Sequence, residues 1–546
     1  VTSRATHEVV NQPPPLVGVD RFSADDALVE AVRRHGGEHA LGDLAELGRR
    51  AGSAETRQLA TMANTYPPTL RTHDRYGRRV DEVEFHPAWH ELMTVAIGHG
   101  LAGDPWRPDA SPAAHLVRAA GLYVWSQAEA GHACPVSMTY AAVPALRADP
   151  QLAAFWEPRL TAPRYQPGLS PPAEKTGCLA GMAMTEKQGG SDVRAGTTRA
   201  TPLAGPGEYA LTGHKWFCSA PMSDVFLVLA QAPDGLTCFV LPRVLPDGGR
   251  NQFAIQRLKD KLGNRSNASA EVEFDQSWAL RLGPEGRGVA TIMEMVALTR
   301  LDCVTSSAAL MRAAVSEAVH HARHRAAFGR PLIDAPLMRA VLADLALEAE
   351  AAAVLAMWLA AAVDAGERAA PLLRLALPVA KFWVTKRASG VSAEALECLG
   401  GNGYVEDSGM PRLYREAPVN AIWEGSGNVQ ALDVCRVLRR EPDALSALLA
   451  EVGQAHGADP RLDAAVRGVL TELGDVAELE AGARRLVERL ALVLQGSLLV
   501  RFAPPAVADA FCAARLGSGG VSFGALPAGL DLAPLLARAA PTPPAS

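Results

Sequence analysis

Along this chain the hydrophobic period changes twice, and that order of periods restricts the fold more than any single motif does. From about Ala24 to Ala154 apolar residues recur at three and four spacing, as in Leu92, Val95, Ala96 and in Leu116, Ala119, Ala120, Tyr123, which predicts amphipathic helices. Between Gly177 and Gly283 the pattern turns to short β-rich runs, Val225 to Ala230, Thr237 to Leu241 and Glu271 to Phe274. Turn residues separate them at Pro233, Asp234, Gly235 and at Pro246, Asp247, Gly248, Gly249. The helical period returns at Gly288 in long alanine- and leucine-rich segments up to Arg440 and continues from Glu441 to Gly517. The fold class that follows is mainly α with a small β domain. Its parts are an N-terminal helical domain (1–176), a middle antiparallel sheet or barrel (177–283), a helical bundle (284–440) and an extra C-terminal helical domain (441–546). Gly and Pro punctuate the end, so a frayed tail closing with Pro541, Thr542, Pro543, Pro544 is expected.

Composition removes several function classes. With 546 residues, a formal charge of −6 and 48% hydrophobic residues, the chain has the makeup of a multidomain globular protein rather than a disordered one. Its eight cysteines include no CxxC pair and no short framework, so neither a zinc site nor a disulfide scaffold is expected and a reducing cytoplasm fits best. His86, His90, His99, His321 and His324 lack a third ligand at metal spacing, and no metal is expected. Val1 to Pro15 has no basic segment leading into an apolar run, and the longest apolar stretch, Ala351 to Val363, is too short to span a bilayer. That stretch reads as a buried helix, and no membrane partner is expected.

Three segments carry chemistry. Ala421 to Asn428 reads Ala, Ile, Trp, Glu, Gly, Ser, Gly, Asn, which sets the carboxylate of Glu424 between a large aromatic and a flexible turn. An acid held against an apolar ring loses hydration, which raises its pKa toward the range useful to a base near neutral pH. Met182 to Arg194 is a polar turn rich in Gly, Ser and Thr where helices meet sheet, a source of N–H and hydroxyl donors for a ligand rich in heteroatoms. Gly213 to Ala220 opens a strand in which Phe217 and Ser219 share a face, one to pack and one to hydrogen-bond. Taken singly, each segment also reads as an ordinary turn, helix end or strand.

Together they do not stand singly. The turn at Met184 to Asp192, the strand at Lys215 to Ser219, Arg325 to Gly329 (Arg, Ala, Ala, Phe, Gly), Leu399 to Tyr404 (Leu, Gly, Gly, Asn, Gly, Tyr) and Trp423 to Gly425 occur in an order and spacing that resemble the acyl-CoA dehydrogenase family. The match covers about Phe85 to Leu438. Arg79 to Met93, Gly131 to Tyr140 and the hundred or so residues after Arg440 are similar to the AidB-like, adaptive alkylation-response branch of that family.

The resemblance implies FAD bound non-covalently at a site shared between subunits of a homotetramer. Thr185 and Ser219 would hydrogen-bond the isoalloxazine, Phe217 would pack beside it, and Met182, Met184, Ser191 and Cys218 would line the same pocket. Arg325, Phe328, Glu397, Gly400 and Gly401 would reach the pyrophosphate and adenosine of FAD in a neighbouring subunit. Ile422, Trp423, Gly425, Ser426, Gly427 and Asn428 would meet it around Glu424. Arg325 offers a forked, permanent charge to phosphate, and paired glycines allow close backbone approach. Glu397 stands where the family commonly has glutamine, and Asp334, Ala335, Pro336 lack the glutamine often found after the Phe, Gly segment.

The chemistry implied is α,β-dehydrogenation of a short or branched, isovaleryl-CoA-like acyl-CoA: a base takes the α-proton while hydride leaves the β-carbon for the flavin on the opposite face. Glu424 would be that base, because the position before Arg300, which carries the base in some family members, is Thr299. The resemblance names no electron acceptor. It also implies two other readings. In one the chain binds double-stranded DNA and protects against alkylation damage with little turnover, using Arg484, Arg485, Arg489, Arg501 and Arg515. From Glu441 onward, however, there are eight arginines, no lysine and twelve acids, a poor net charge for a polyanion partner. In the other, Trp423, bulkier than the usual tyrosine, narrows the acyl pocket and leaves a flavin-bearing scaffold.

Overall fold

The computed structural model describes residues 6–473 and 479–541. Helices α1 (Asp26–Arg34), α2 (Leu41–Ala51), α3 (Ala54–Thr65), α4 (Pro87–Gly98), α5 (Ala114–Ser126), α6 (Ala133–Leu146) and α7 (Pro150–Leu160) build the first region. Asp25 caps α1 by accepting from the Leu28 N–H, Ser53 caps α3 at Thr56, and Asp149 caps α7 at Gln151 and Leu152, each satisfying donors that a helix start leaves free. One element departs from the expected helical pattern. Strands β1 (Thr69–His73) and β2 (Arg79–Glu84) form an antiparallel hairpin whose turn is tied by the Asp74 carboxylate, which accepts from the N–H groups of Tyr76 and Arg78. Few of its residues are buried, so it lacks the apolar alternation that marks a strand in a sequence.

Strands β3 (Ala180–Ala183), β4 (Arg199–Pro202), β5 (Glu208–Ser219), β6 (Val225–Ala232), β7 (Gly235–Pro242), β8 (Phe253–Leu258) and β9 (Ser269–Leu282) follow. They pair in the order β3-β6-β4-β5-β9-β7, and a further β6–β7 pairing joins the path back on itself as a small barrel, with β8 on β9. The expectation of a purely antiparallel sheet is corrected at one edge: β3 and β4 both run parallel to β6. Short β3 and β4 carry too few residues for direction to be read from their pattern. The interior is filled by Phe226, Phe239, Phe253, Phe274, Leu211 and Ile255.

Helix α8 (Gly288–His324) has 37 residues, about 55 Å at 1.5 Å per residue. After a tight hairpin, β10 (Ala326–Ala327) and β11 (Arg330–Pro331), come α9 (Pro336–Asp364), α10 (Ala370–Cys398), α11 (Met410–Asn420) and α12 (Gly427–Arg440). Helix α9 is long and apolar enough to cross a membrane, but that stretch is mostly buried in the bundle. Its alanines, among them Ala349, Ala353, Ala356 and Ala360, let neighbouring helices approach closely.

The C-terminal helices α13 (Pro442–Gly453), α14 (Pro460–Leu473), α15 (Leu479–Phe502) and α16 (Pro505–Phe511) share one apolar cluster with the bundle and the first region: Leu448, Leu490, Leu494 and Leu498 pack in the same core as Leu355, Val379 and Leu28. The tail expected to fray is instead docked through α17 (Ala533–Ala539). Leu535, Leu536 and Ala539 are buried there, and Arg538 pairs with Glu30 and Glu350. Thr542, Pro543 and Pro544, like residues 1–5, lie outside the described residues.

Candidate active site

The three regions meet at an apolar cluster built from Cys134, Met138 and Tyr140 of α6, Ala180 of β3, Val225 and Leu227 of β6, and Met295 and Leu298 of α8. Met182, Met184, Met222 and Trp423 pack against it. Two parts of the expected site, the turn after β3 and the loop before α12, are thereby brought to one wall. Methionine is unbranched and adaptable, and a wall rich in it accepts apolar groups of varied shape.

The loop carrying Glu424 is held from beneath. Lys381, 1% exposed in the middle of α10, donates through Nζ to the carbonyls of Trp423 (2.8 Å) and Gly425. Gln430 donates to the carbonyls of Glu424 (2.9 Å) and Gly425 (3.1 Å), and Arg300 Nε reaches the Glu424 carbonyl at 3.3 Å. Asp433 in turn orients Arg300 at 2.8 Å. Glu424 itself has φ of 58° and Gly425 has 101°, so a non-glycine residue is kept in the left-handed region by these donors. One carboxylate oxygen, Oε2, is buried without a hydrogen-bond partner among the described residues. Burial raises the Glu424 pKa, with Thr299, Lys381 and Arg300 opposing the rise. Thr299, the residue at the alternative base position, is thus near enough to oppose that rise, while its hydroxyl donates to the Val296 carbonyl at 3.1 Å. The indole of Trp423 is fixed by Asn420 at 3.0 Å.

On the sheet side, Glu186 stitches the polar turn together, accepting from Thr197 and Thr198 and pairing with buried Lys215 at 2.8 Å. Lys215 also donates to the Met184 carbonyl, and Thr185 accepts from the Trp216 N–H at 2.8 Å through its own carbonyl. Thr185 closes over Gly190, while Ser191 is exposed. At the end of β5, Phe217 is 53% exposed and Ser219 is half-buried on the open side. Cys218 points the other way. Its side chain is fully buried in the barrel interior, which pushes its thiol up to about 12, so the expectation that it lines the cofactor pocket is corrected to a core role: strand alternation turns it inward. Beneath Ser219 lie Cys134 and Asn267, with Lys261 donating to the Asn267 carbonyl at 2.6 Å and to Ser269 Oγ. Burial lowers Lys261 to about 8.

Arg325, Phe328, Glu397, Gly400 and Gly401 sit apart from this wall, whereas Ile422 and Ser426 to Asn428 continue the Glu424 loop. Arg325 ends α8 and donates to the Asn11 carbonyl. Phe328 is fully exposed with φ of 52° at the tip of the β10–β11 hairpin, followed by Gly329 at 78°. Glu397 is exposed, and neither Gly400 nor Gly401 has any atom within 4 Å of where a Cβ would stand. Ile422 is exposed, whereas Gly427, the first residue of α12, is buried beneath Lys386. Ser426, the N-cap residue of α12, and Asn428, exposed in its first turn, adjoin it.

Of the five arginines read as DNA contacts, two are corrected outright. Arg515 pairs with buried Asp344 and Glu348, and Arg501 pairs with Glu451 at 2.7 Å. Arg485 and Arg489 both pair with Glu472. Arg484 donates to Asn428 Oδ1 at 3.0 Å, beside the expected cofactor segment. Their charges are answered by residues too far along the chain for spacing to reveal. Lys381, Gln430, Glu186 and Lys215 were missed as supports for the same reason, although a lone lysine in the apolar run Leu377 to Val384 was a signal of a buried, partnered cation.

Comparison with known proteins places this geometry. Residues 11–167 match the adaptive response protein AidB N-terminal domain, 181–277 the acyl-CoA dehydrogenase middle domain and 286–438 the acyl-CoA dehydrogenase C-terminal domain. AidB of Escherichia coli (strain K12) is 46% identical over 94% of this chain and 95% of its own length. The chain belongs to the AidB-like branch of the acyl-CoA dehydrogenase family. Among solved structures, ACDH-11 of Caenorhabditis elegans in complex with C11-CoA superposes with a TM-score of 0.85 at 28% identity, covering 95% of this chain and 96% of that one. An acyl-CoA dehydrogenase complexed with FAD from Bacillus anthracis shares the fold at a TM-score of 0.62 and 17% identity, covering 78% and 76% of the two chains. As an acyl-CoA dehydrogenase-type oxidoreductase, the protein takes FAD as its cofactor. The residues present fit it: an orphaned buried carboxylate oxygen at Glu424, an uncovered Phe217 ring beside the Ser219 hydroxyl, and paired glycines with open space before them.

Proposed function

We propose that this chain is an FAD-dependent dehydrogenase of short or branched acyl-CoA thioesters, with Glu424 as the base that removes the α-proton. The observation that carries the reading is the Glu424 carboxylate, whose Oε2 is buried and without a partner among the described residues, against an apolar wall on a loop gripped by Lys381, Gln430 and Arg300. An acceptor of that kind is short of hydrogen bonds and takes a proton from carbon readily once ionised. The nearby charges of Lys381 and Arg300 keep the ionised form accessible despite burial. The main-chain N–H of Glu424 donates to no acceptor among the described residues, which leaves it free to stabilise negative charge on a thioester oxygen. FAD, when bound, supplies the hydride acceptor. Thr185 and Ser219 would hold its ring system and Phe217 would shield it, while the methionine-rich wall excludes water from the acyl group. Trp423, anchored on Asn420, bounds that wall and supports a short or branched acyl group. The C11-CoA complex of the Caenorhabditis elegans relative supports a CoA thioester as the ligand class.

Exposed apolar side chains at Phe328, Leu337, Tyr404 and Val405 support assembly of several copies, with the homotetramer as our reading. A cytoplasmic location is our reading, supported by eight cysteines that include no CxxC pair. The double-stranded DNA reading draws little support, since four of its five arginines already hold carboxylates. Anaerobic addition of isovaleryl-CoA and a panel of other thioesters to the purified flavoprotein tests the proposal. Bleaching of the flavin by one chain length is expected; indifference to the whole panel with FAD retained would leave a scaffold.

A further inference from the structure

The arginines of the C-terminal region divide sharply by what they touch. Six of its eight, Arg461, Arg485, Arg489, Arg501, Arg515 and Arg538, pair with carboxylates. Arg484 does not. Among the described residues it holds no carboxylate; it donates to the neutral amide of Asn428 at 3.0 Å and stands with its guanidinium 5.7 Å from the centre of the Phe382 ring.

A second cation, Lys386, shares that ring at 5.2 Å and likewise pairs with no carboxylate among the described residues. Its Nζ would lie 2.7 Å from a Cβ built on Gly427, so the absence of a side chain there is what admits the ammonium group to the start of α12. Placing two like charges around one ring costs free energy unless an anion joins them. In keeping with that cost, Lys386 is lowered from its ordinary pKa by burial and by Arg484. The segment they surround, Ser426 to Asn428, directly follows Glu424 and Gly425.

We infer that Arg484 and Lys386 form a cationic site for the pyrophosphate of FAD beside Asn428, so that the C-terminal helical region is part of the cofactor site. This rests on the FAD reading of the protein. Arg484 has the forked geometry that binds phosphate oxygens in pairs, and Lys386 adds a point charge. The region would then act as a latch: cofactor occupancy and docking of α15 stabilise each other.

The test is cofactor affinity of the full-length apoprotein, read by flavin fluorescence with FAD and with riboflavin, which has no phosphate. Arg484→Gln is expected to weaken FAD by about tenfold or more, the span of a charged hydrogen bond, while riboflavin binding stays unchanged. Arg484→Lys, which keeps charge and fold, is expected to fall between, and Lys386→Gln to follow the same pattern. Equal affinity for FAD in wild type and all three variants, or a loss shared equally by FAD and riboflavin, would overturn the inference and leave Arg484 a domain contact. A wild type that takes up neither ligand would overturn the FAD reading itself.

Discussion

The Glu424 loop and the Arg325 to Gly329 hairpin both belong to the expected cofactor site, yet they are built in opposite ways. The loop has an unusual backbone at Glu424 and Gly425 and is secured by three side chains from α8, α10 and α12. The hairpin also has two left-handed residues, Phe328 and Gly329, but its aromatic ring is fully exposed. The difference teaches that one chain suffices to aim the proposed base, whereas the outer part has apolar surface still to be covered, which is what the proposed sharing of the site between copies would require.

Outside Glu424 itself, the largest effect that sharpens this contrast is expected from Lys381. Lys381→Met leaves the Trp423 carbonyl without its buried donor, at roughly 1–3 kcal/mol, while the Gly425 carbonyl keeps its bond from Gln430; unfolding by heat or denaturant measures the loss. It also removes a charge that favours ionised Glu424, so the acid limb of the pH dependence of kcat should move to higher pH. An unchanged limb would mean that the loop is not held as described.

Next is Glu416 of α11, which links bundle to barrel by accepting from the Asn264 N–H at 2.7 Å. Burial and the neighbouring Glu129 raise it to about 7. A carboxyl whose folded pKa lies above its ordinary value stabilises fully below about pH 4.5, and that contribution is lost as pH rises through about 7. Glu416→Gln should therefore remove a pH-dependent loss of about 3 kcal/mol over that interval, seen as a flatter profile of unfolding midpoint against pH.

Phe328→Asp addresses the open region. Light scattering should report a smaller assembly and flavin titration an FAD affinity weakened by about tenfold, with subunit unfolding shifted by no more than ~0.5 kcal/mol, as for exposed positions. Intact assembly would break the comparison. The smallest effect belongs to Arg485 and Arg489, partly exposed partners of Glu472: replacing either with Gln should cost about 0.2–1 kcal/mol, less at high salt.

How much of this was legible in the sequence depended on whether a feature is local. Glu424, its glycine, the Thr185 turn and the three-part order of periods are local and could be read directly. Lys381 was not, because its acceptors lie 42 and 44 residues away and become neighbours only when α10 packs under the loop. The same distance hid the carboxylates of Arg501 and Arg515, 50 and 167 residues from their partners Glu451 and Glu348. Cys218 lies within the Phe217 to Ser219 motif in sequence, but strand alternation turns its side chain to the barrel interior, opposite to that of Phe217. The docked tail depends on Arg538 meeting Glu30 across 508 residues, which no local pattern encodes.

The most direct measurement compares wild type with Glu424→Gln, both loaded with FAD, in anaerobic stopped flow with the thioester that bleaches the wild-type flavin best. The account predicts FAD bound equally in both and bleaching slowed by about a hundredfold or more in the variant. Bleaching at the wild-type rate in Glu424→Gln would contradict it.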